Sequence, residues 1–322
     1  MIRRGKVLKP FDFGCRDVLN AAAFELENDD SIHLLVRTDD TDGVNRIRRV
    51  TEKDGRFIIH EKPILDKDES CGFFGCEDPR VTVIKDNGRE KIFVVFTGLS
   101  SPSREFPEPR IALAVSENAR EYTNLGFLQG LGDSYNKNGT IFPEKIVDPE
   151  TGKLVYWMYH RPDGRNIWSA ISTDLLHWEN SKMVMIPISG TWQQSHIGCG
   201  TPPFREDEGW LFFYHGVRKD VRGFCNYGLG AALADINNPN RIIARSYDAL
   251  LLPDTDFEQG LIRRVIFTCG AIRRNRIYRV YYGAADHWLA VAEATKEEIF
   301  ATLRTISDPI WDQHKNMRLS RF

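Results

Sequence analysis

The sequence predicts an all-β protein, a radial array of five small antiparallel sheets, and three observations carry that prediction. Short runs of aromatic and β-branched residues, each closed off by Gly, Asp or Asn, fill the chain nearly end to end, as strands between tight turns do. The strongest runs recur at intervals of about 56 to 68 residues, a longer period than small solenoids use. Each is followed closely by a second run, so the repeating unit is strand–turn–strand.

In chain order the leading runs are SIHLLVR (31–37), KIFVVFTG (91–98), KLVYWMYH (153–160), GWLFFYHG (209–216) and RIYRVYYG (276–283). They are too short to show apolar spacing of three or four over ten residues, which a helix requires. Their partners are NRIRRV (45–50), RIALAVS (110–116), NIWSAIS (166–172), YGLGAALA (227–234) and HWLAVAE (287–293). Third strands follow in places, as at KMVMI (182–186) and RIIARS (241–246). TDDTDG (38–43) reads as a loop inside the first unit, NGTIFPEKIVDPETGK (138–153) as the approach to the third, and ATKEEIFATL (294–303) as a turn of helix.

Five units of about 60 residues account for most of the 322-residue chain. Length alone suggests about two domains, but no Pro/Gly/Ser linker or charge block divides the sequence. The expectation is therefore one domain over 1–322. An irregular β-sandwich, or a pair of them, satisfies the same strand count.

Lys and Arg total 43 against 45 Asp and Glu, a net charge of -2. That balance argues against a nucleic-acid partner, whose footprint is a basic excess, and leaves room for a small anion in a local pocket. Six cysteines match neither CxxC pairs nor a zinc ligand set. MIRRGKVLKPFDF leads into no apolar signal core, and no run approaches the ~20 apolar residues that span a bilayer. A reduced cytoplasmic compartment is the simplest reading, with no membrane partner. A homo-oligomer is compatible with the sequence, though the N-terminus carries no clear interface signal.

The sharpest local feature is GCEDPR (75–80). Pro79 fixes its own φ and is expected to hold Asp78 in extended backbone, giving the carboxylate a defined direction. Arg80 can then pair with one of Glu77 and Asp78 while the other works on substrate. The plainer reading is a charged turn whose arginine neutralises its neighbours.

A second group mixes cations with aromatics at strand ends: Lys145 in FPEKI, Arg161 after WMYH, His215 in FFYHG and Tyr227 opening YGLG. In a radial fold such positions converge near the axis. Arg brings a fork and Lys a point charge, a set suited to phosphate. Taken singly, each has a structural explanation as a surface charge or a satisfied core side chain. In YYGAADHW (281–288) small residues separate an aromatic strand from Asp286, a carboxylate able to accept from sugar hydroxyls; Asn20, Arg37 and Arg46 can add contacts. Dinucleotide, P-loop, HExxH and GxSxG signatures are missing, and the eight histidines follow no ligand spacing. Neither a metal nor an organic cofactor is expected.

Taken together, VLNAAAF, GCEDPRVT, TIFPEKI, WSAISTDLLHW, GTPPF with GWLFFYHGV, YGLGAALADINNP and YYGAAD resemble the β-mannoside phosphorylase family, glycoside hydrolase family 130. The resemblance covers nearly the whole chain and implies a five-bladed β-propeller. It implies that Asp78 is the general acid of an inverting phosphorolysis, protonating the leaving oxygen through the mannose O3 hydroxyl while inorganic phosphate, the co-substrate, attacks C1. The product would be α-mannose 1-phosphate. It places phosphate on Lys145, Arg161, His215 and Tyr227, and mannose or the orientation of the acid on Asn20, Arg37, Arg46, Arg80 and Asp286. One protein carboxylate suffices, because phosphate is already an anionic nucleophile and water activation is not needed.

Several positions depart from the family pattern: Ala follows Asn20 where Pro is common, Cys76 precedes EDPR, Asn138-Gly139 replaces a commonly acidic approach to FPEKI, and His196 stands in WQQSHIGCG. The expected substrate is a small β-mannoside, a β-1,4 linkage being favoured over β-1,2. Hydrolysis of the same bond, by relatives lacking the cations, is the enzymatic alternative, and a non-catalytic carbohydrate-binding propeller is the other.

Overall fold

Each leading apolar run becomes the second strand of a sheet buried on both faces. Leu34 and Val36 point into one core with Tyr281 and Leu289, while Leu35 between them packs with Phe24 and Phe96 on the opposite side. Phe212 likewise joins Trp157 and Tyr159, and its neighbour Phe213 joins Tyr278. A strand sandwiched between two others loses the polar half of its alternation and reads as a continuous apolar run. Removing one such ring, as in Phe212→Ala, is expected to cost about 3–5 kcal/mol.

The computed structural model describes residues 1–68, 72–86, 88–101, 108–132, 135–260 and 264–306, and its five sheets are the blades of a β-propeller. Blade 1 runs Asp17–Leu26, Asp29–Asp39, Asn45–Lys53 and Arg56–Leu65. Blade 2 runs Cys76–Asp86, Arg89–Leu99, Pro109–Ser116 and Thr123–Phe127. Blade 3 is built on Lys137–Ile141, Leu154–Arg161, Ile167–Ser172 and Glu179–Met185. Blade 4 is built on His196–Cys199, Gly209–Lys219, Cys225–Ala234 and Ile242–Ser246, and Leu303–Thr305 extends its outer edge. Blade 5 contains Ile266–Arg274, Ile277–Ala284 and Trp288–Thr295, and its outer strand is Ile2–Leu8 from the opposite end of the chain. That pairing joins the two ends of the chain within one blade and so closes the ring. The turn of helix expected near 294–303 is Lys296–Phe300, capped reciprocally by Thr295 and Glu298.

The first strands of the blades contact one another around the axis. They approach so closely that glycine is required: a Cβ on Gly270 would lie 2.2 Å from the Ala23 nitrogen. In four of the five the register slips at the same level. Leu19 and Asn20 stand opposite Arg37 alone, Asp78 and Pro79 opposite Phe96, Asn138 and Gly139 opposite His160, and Cys269 is unmatched between Thr268 and Gly270. Such bulges bend a strand and re-aim a side chain. Here they turn Asn20, Asp78 and Asn138 toward one space.

Candidate active site

That space is a cleft of about 370 Å³ whose lining includes Asn20, Arg37, Asp78, Arg161, Tyr227 and Asp286. Six of the ten residues expected at a site thus meet across the blades. Asp78 does not have the extended backbone expected of a residue before proline: its φ is 51°. Proline disfavours the right-handed helical region at the preceding residue, while the bulge requires a left-handed turn, which Asp tolerates better than most residues. Asn138 and Asp286 share that conformation, with φ of 59° and 54°.

Arg80 is fully buried and holds this turn. Its Nη1 donates to the Asp78 carbonyl at 2.9 Å, and its Nε and Nη2 donate to the carbonyls of Gly200 and Cys199. It therefore positions the acid's backbone from beneath and does not line the cleft. The Asp78 carboxylate is anchored on one side only. Oδ1 accepts from Asn20 Nδ2 and from Arg37 Nη1, each at 2.8 Å, while Oδ2 accepts from none of the described residues. Arg37 also donates Nη2 to Glu77 Oε1 and Nε to Asn45 Oδ1, both at 2.8 Å. Burial pushes the Asp78 carboxyl up, but the charges of Arg37, Arg80 and Lys137 and the Asn20 bond outweigh it and hold the group at about 2. At neutral pH this favours the Asp78 anion.

Arg161 is the most distinctive cation. It is 7% exposed and, among the described residues, has no carboxylate within salt-bridge distance. Its Nη1 donates to His215 Nε2 at 3.4 Å and its Nη2 to the Tyr135 hydroxyl at 3.2 Å, both long, and its Nε has no partner. His215 lies behind it, packed at a tilt on Phe267 with ring centres 4.3 Å apart, and does not itself line the cleft. Burial, then the Arg161 charge, pushes the His215 ring well down, so it is neutral and accepts from Arg161. A buried unpaired guanidinium facing an open space is costly unless an anion arrives.

Two expected residues lie elsewhere. Lys145 is exposed, with its ammonium 4.6 Å from the Tyr156 ring centre. The chain leaves the first strand of blade 3 at Ile141, so FPEKI carries Lys145 away from the axis. Lys137 takes its place in the cleft: it is the cross-strand partner of Arg161, and its Nζ lies 3.3 Å from Glu77 Oε2. The signal that finds Lys137 is phase, since it precedes the Asn138-Gly139 bulge as Glu77 precedes Asp78-Pro79. Arg46 is held in a rim network by Asp40, Asp42 and Asp66 and is no part of the lining. Asp17, Asp39 and Asn138 also line the cleft and were not anticipated. Among the described residues no cluster of three or more His, Cys, Asp or Glu side chains is arranged to hold a metal.

Comparison with known proteins points to one family. Residues 2–305 match the Glyco_hydro_130 family, described as β-1,4-mannooligosaccharide phosphorylase. A 1,2-β-oligomannan phosphorylase of Thermoanaerobacter sp. (strain X514) is 34% identical over 261 residues, 80% of each chain. A β-1,2-mannobiose phosphorylase of the same strain is 36% identical over 258 residues, 80% of this chain and 79% of its own. The structure of β-1,2-mannobiose phosphorylase from Listeria innocua in complex with β-1,2-mannobiose aligns with a TM-score of 0.73 at 26% identity, covering 89% of this chain and 91% of that one.

Proposed function

The chain belongs to glycoside hydrolase family 130, the β-mannoside phosphorylases, and on that premise we propose that it splits a short β-mannoside with inorganic phosphate to give α-mannose 1-phosphate. The observation that carries this reading is the buried, carboxylate-free Arg161 beside Lys137 and Tyr227, in the same cleft as the singly anchored Asp78. Attack by water would leave that guanidinium without an anionic partner. A phosphate dianion satisfies it.

In the proposed reaction phosphate lies against Arg161 and Lys137, and one of its oxygens forms a bond to mannosyl C1. The bond from C1 to the glycosidic oxygen breaks, and its electron pair stays on the leaving sugar. That oxygen takes a proton from the mannose O3 hydroxyl, which is replenished from Asp78 through the unanchored Oδ2. The carboxylate ends as an anion and is reprotonated from solvent. Asp78 acquires its proton only in the loaded site: phosphate screens the cations that hold the carboxyl down, and bound sugar excludes water and strengthens the burial effect. Asn20 and Arg37 keep Oδ1 fixed, so only Oδ2 is available to transfer the proton.

The core motifs do not diagnose the linkage, and the family resemblance alone favours β-1,4 only modestly. The three relatives that are 33%, 34% and 36% identical over four fifths of the chain carry β-1,2 names, while a 4-O-β-D-mannosyl-D-glucose phosphorylase covering 89% of it is 24% identical, and we take a β-1,2-linked mannobiose or short oligomannoside as the first substrate to test. Incubating β-1,2- and β-1,4-mannobiose with and without phosphate, and following α-mannose 1-phosphate by phosphorus NMR, decides both points. Phosphate-dependent product from the β-1,2 sugar is expected. Equal mannose release without phosphate would sink the phosphorylase reading, and a preference for the β-1,4 sugar would reverse the linkage.

A further inference from the structure

A second cavity, of about 420 Å³, lies between blades 1 and 2 and is lined by His33, Arg49, Thr51, His60, Asn118 and Arg120, among others. His33 and Arg37 lie on the same strand, four residues apart, which separates the cavity from the active cleft by about 13 Å. Its two arginines have no counter-charge among the described residues. Arg49 donates to His60 Nδ1 at 3.0 Å, and neither it nor Arg120 has a carboxylate within salt-bridge distance among the described residues. Burial first, and the Arg120 charge as well, push the Arg49 guanidinium down, against the direction seen for the paired Arg3, Arg37 and Arg46. Asp29, the one carboxylate in the lining, is already engaged by the Ser31 N–H and by His33.

His33 adds a different requirement. It is 5% exposed and stacked on Phe24 at 5.1 Å, which fixes its ring. Its Nε2 donates to Asp29 at 2.9 Å, so in the neutral ring Nδ1 is an acceptor, and that atom is buried without a partner. Asn118 uses Oδ1 on the backbone N–H groups of Arg120 and Glu121, which leaves its NH₂ uncommitted. Two guanidiniums and an amide donor line the same cavity as the ring that carries this orphaned acceptor.

We propose that this cavity is a second ligand site that binds a hexose phosphate, its phosphate on Arg49 and Arg120 and a sugar hydroxyl donating to His33 Nδ1. More donors converge than the two oxygens of a carboxylate would use, and a bare carboxylate or phosphate dianion has no hydroxyl to offer His33. The cavity is within the size range of small-molecule sites. The proposal stands whichever reaction the axial cleft performs.

Isothermal titration with α-mannose 1-phosphate, without acceptor sugar, tests it. The wild-type protein is expected to bind two equivalents, and Lys137→Ala/Arg161→Ala, which disables the axial anion site, one. Arg49→Ala/Arg120→Ala should weaken the remaining site at least tenfold, and so should Arg120→Glu, a change at an exposed turn that leaves the core intact. His33→Phe should weaken the hexose phosphate about tenfold while leaving inorganic phosphate within twofold. A single equivalent in the wild type, or unaltered binding in both arginine variants, overturns the site. Equal affinity for inorganic phosphate and hexose phosphate overturns the sugar contact.

Discussion

Blade 3 brings to the cleft a buried arginine with no carboxylate partner among the described residues, backed by the neutral His215 of blade 4, while blades 1 and 5 face it with carboxylates that are already occupied. Arg161 and neutral His215 are buried, and their bonds are long or missing. Across the cleft, Asp39 accepts from Arg16 through both oxygens at 2.8 Å, and Asp17 pairs with His287 at 2.5 Å. A carboxylate already neutralised can take hydrogen bonds from sugar hydroxyls without demanding a counter-ion. Arg161, whose bonds are long and whose Nε has no partner, has donors left over for an anion. The difference separates the roles: the satisfied wall suits a neutral sugar, the unsatisfied one an anion, and Asp78 lies between them.

The largest expected effect comes from removing the group shared by both walls. Asp78→Asn should lower kcat by about 10²–10⁴-fold with little change in mannoside KM. Activity within twofold of wild type would remove Asp78 from the chemistry. Next, Arg161→Ala or Lys137→Ala should reduce kcat/KM for phosphate by roughly 10–100-fold, the worth of a charged hydrogen bond, and leave mannoside KM nearly unchanged. Lys145→Ala serves as the control within the same motif and should leave phosphate kinetics within twofold.

Acidification should also tell the walls apart. Burial, with Arg161 and Lys219, pushes His196 down to about 4, and burial brings His160 to about 4. Because the folded protein holds these rings neutral while the unfolded chain protonates near 6.5, their stabilising effect is complete above that value. It is lost as the pH falls toward 4. Melting temperature should drop across that window, by roughly 3 kcal/mol of stability for His160, and His160→Gln should flatten the drop. An unchanged slope would show that the ring is not held neutral. The smallest effect belongs to the satisfied wall. Asp286→Asn should raise mannoside KM by about three- to tenfold, a neutral hydrogen bond's worth, and spare phosphate. Equal damage to phosphate use would dissolve the division of labour.

The strands that could be read from sequence and the strands that build the site are different strands. SIHLLVR, KIFVVFTG and GWLFFYHG announce themselves because they are buried on both faces. The first strands, holding NAAAF, EDPRV and NGTIF, carry small residues, a proline and bulges, and read as motifs or turns. Lys145 and Lys137 show the cost. Both precede or sit within the same segment, and only the register against Leu154–Arg161 selects Lys137.

From the residues alone came the five repeated strand units, the choice of EDPR as the sharpest local feature, and the expectation, from a net charge of -2, of no broad anion-binding surface. These rest on local pattern and composition. Which cations meet, the left-handed turn at Asp78 and the demotion of Arg80 to a support beneath it came only from the closed ring. A propeller assembles its axis from residues about one blade apart in sequence, and bulges decide which of them turn inward. A linear pattern records neither.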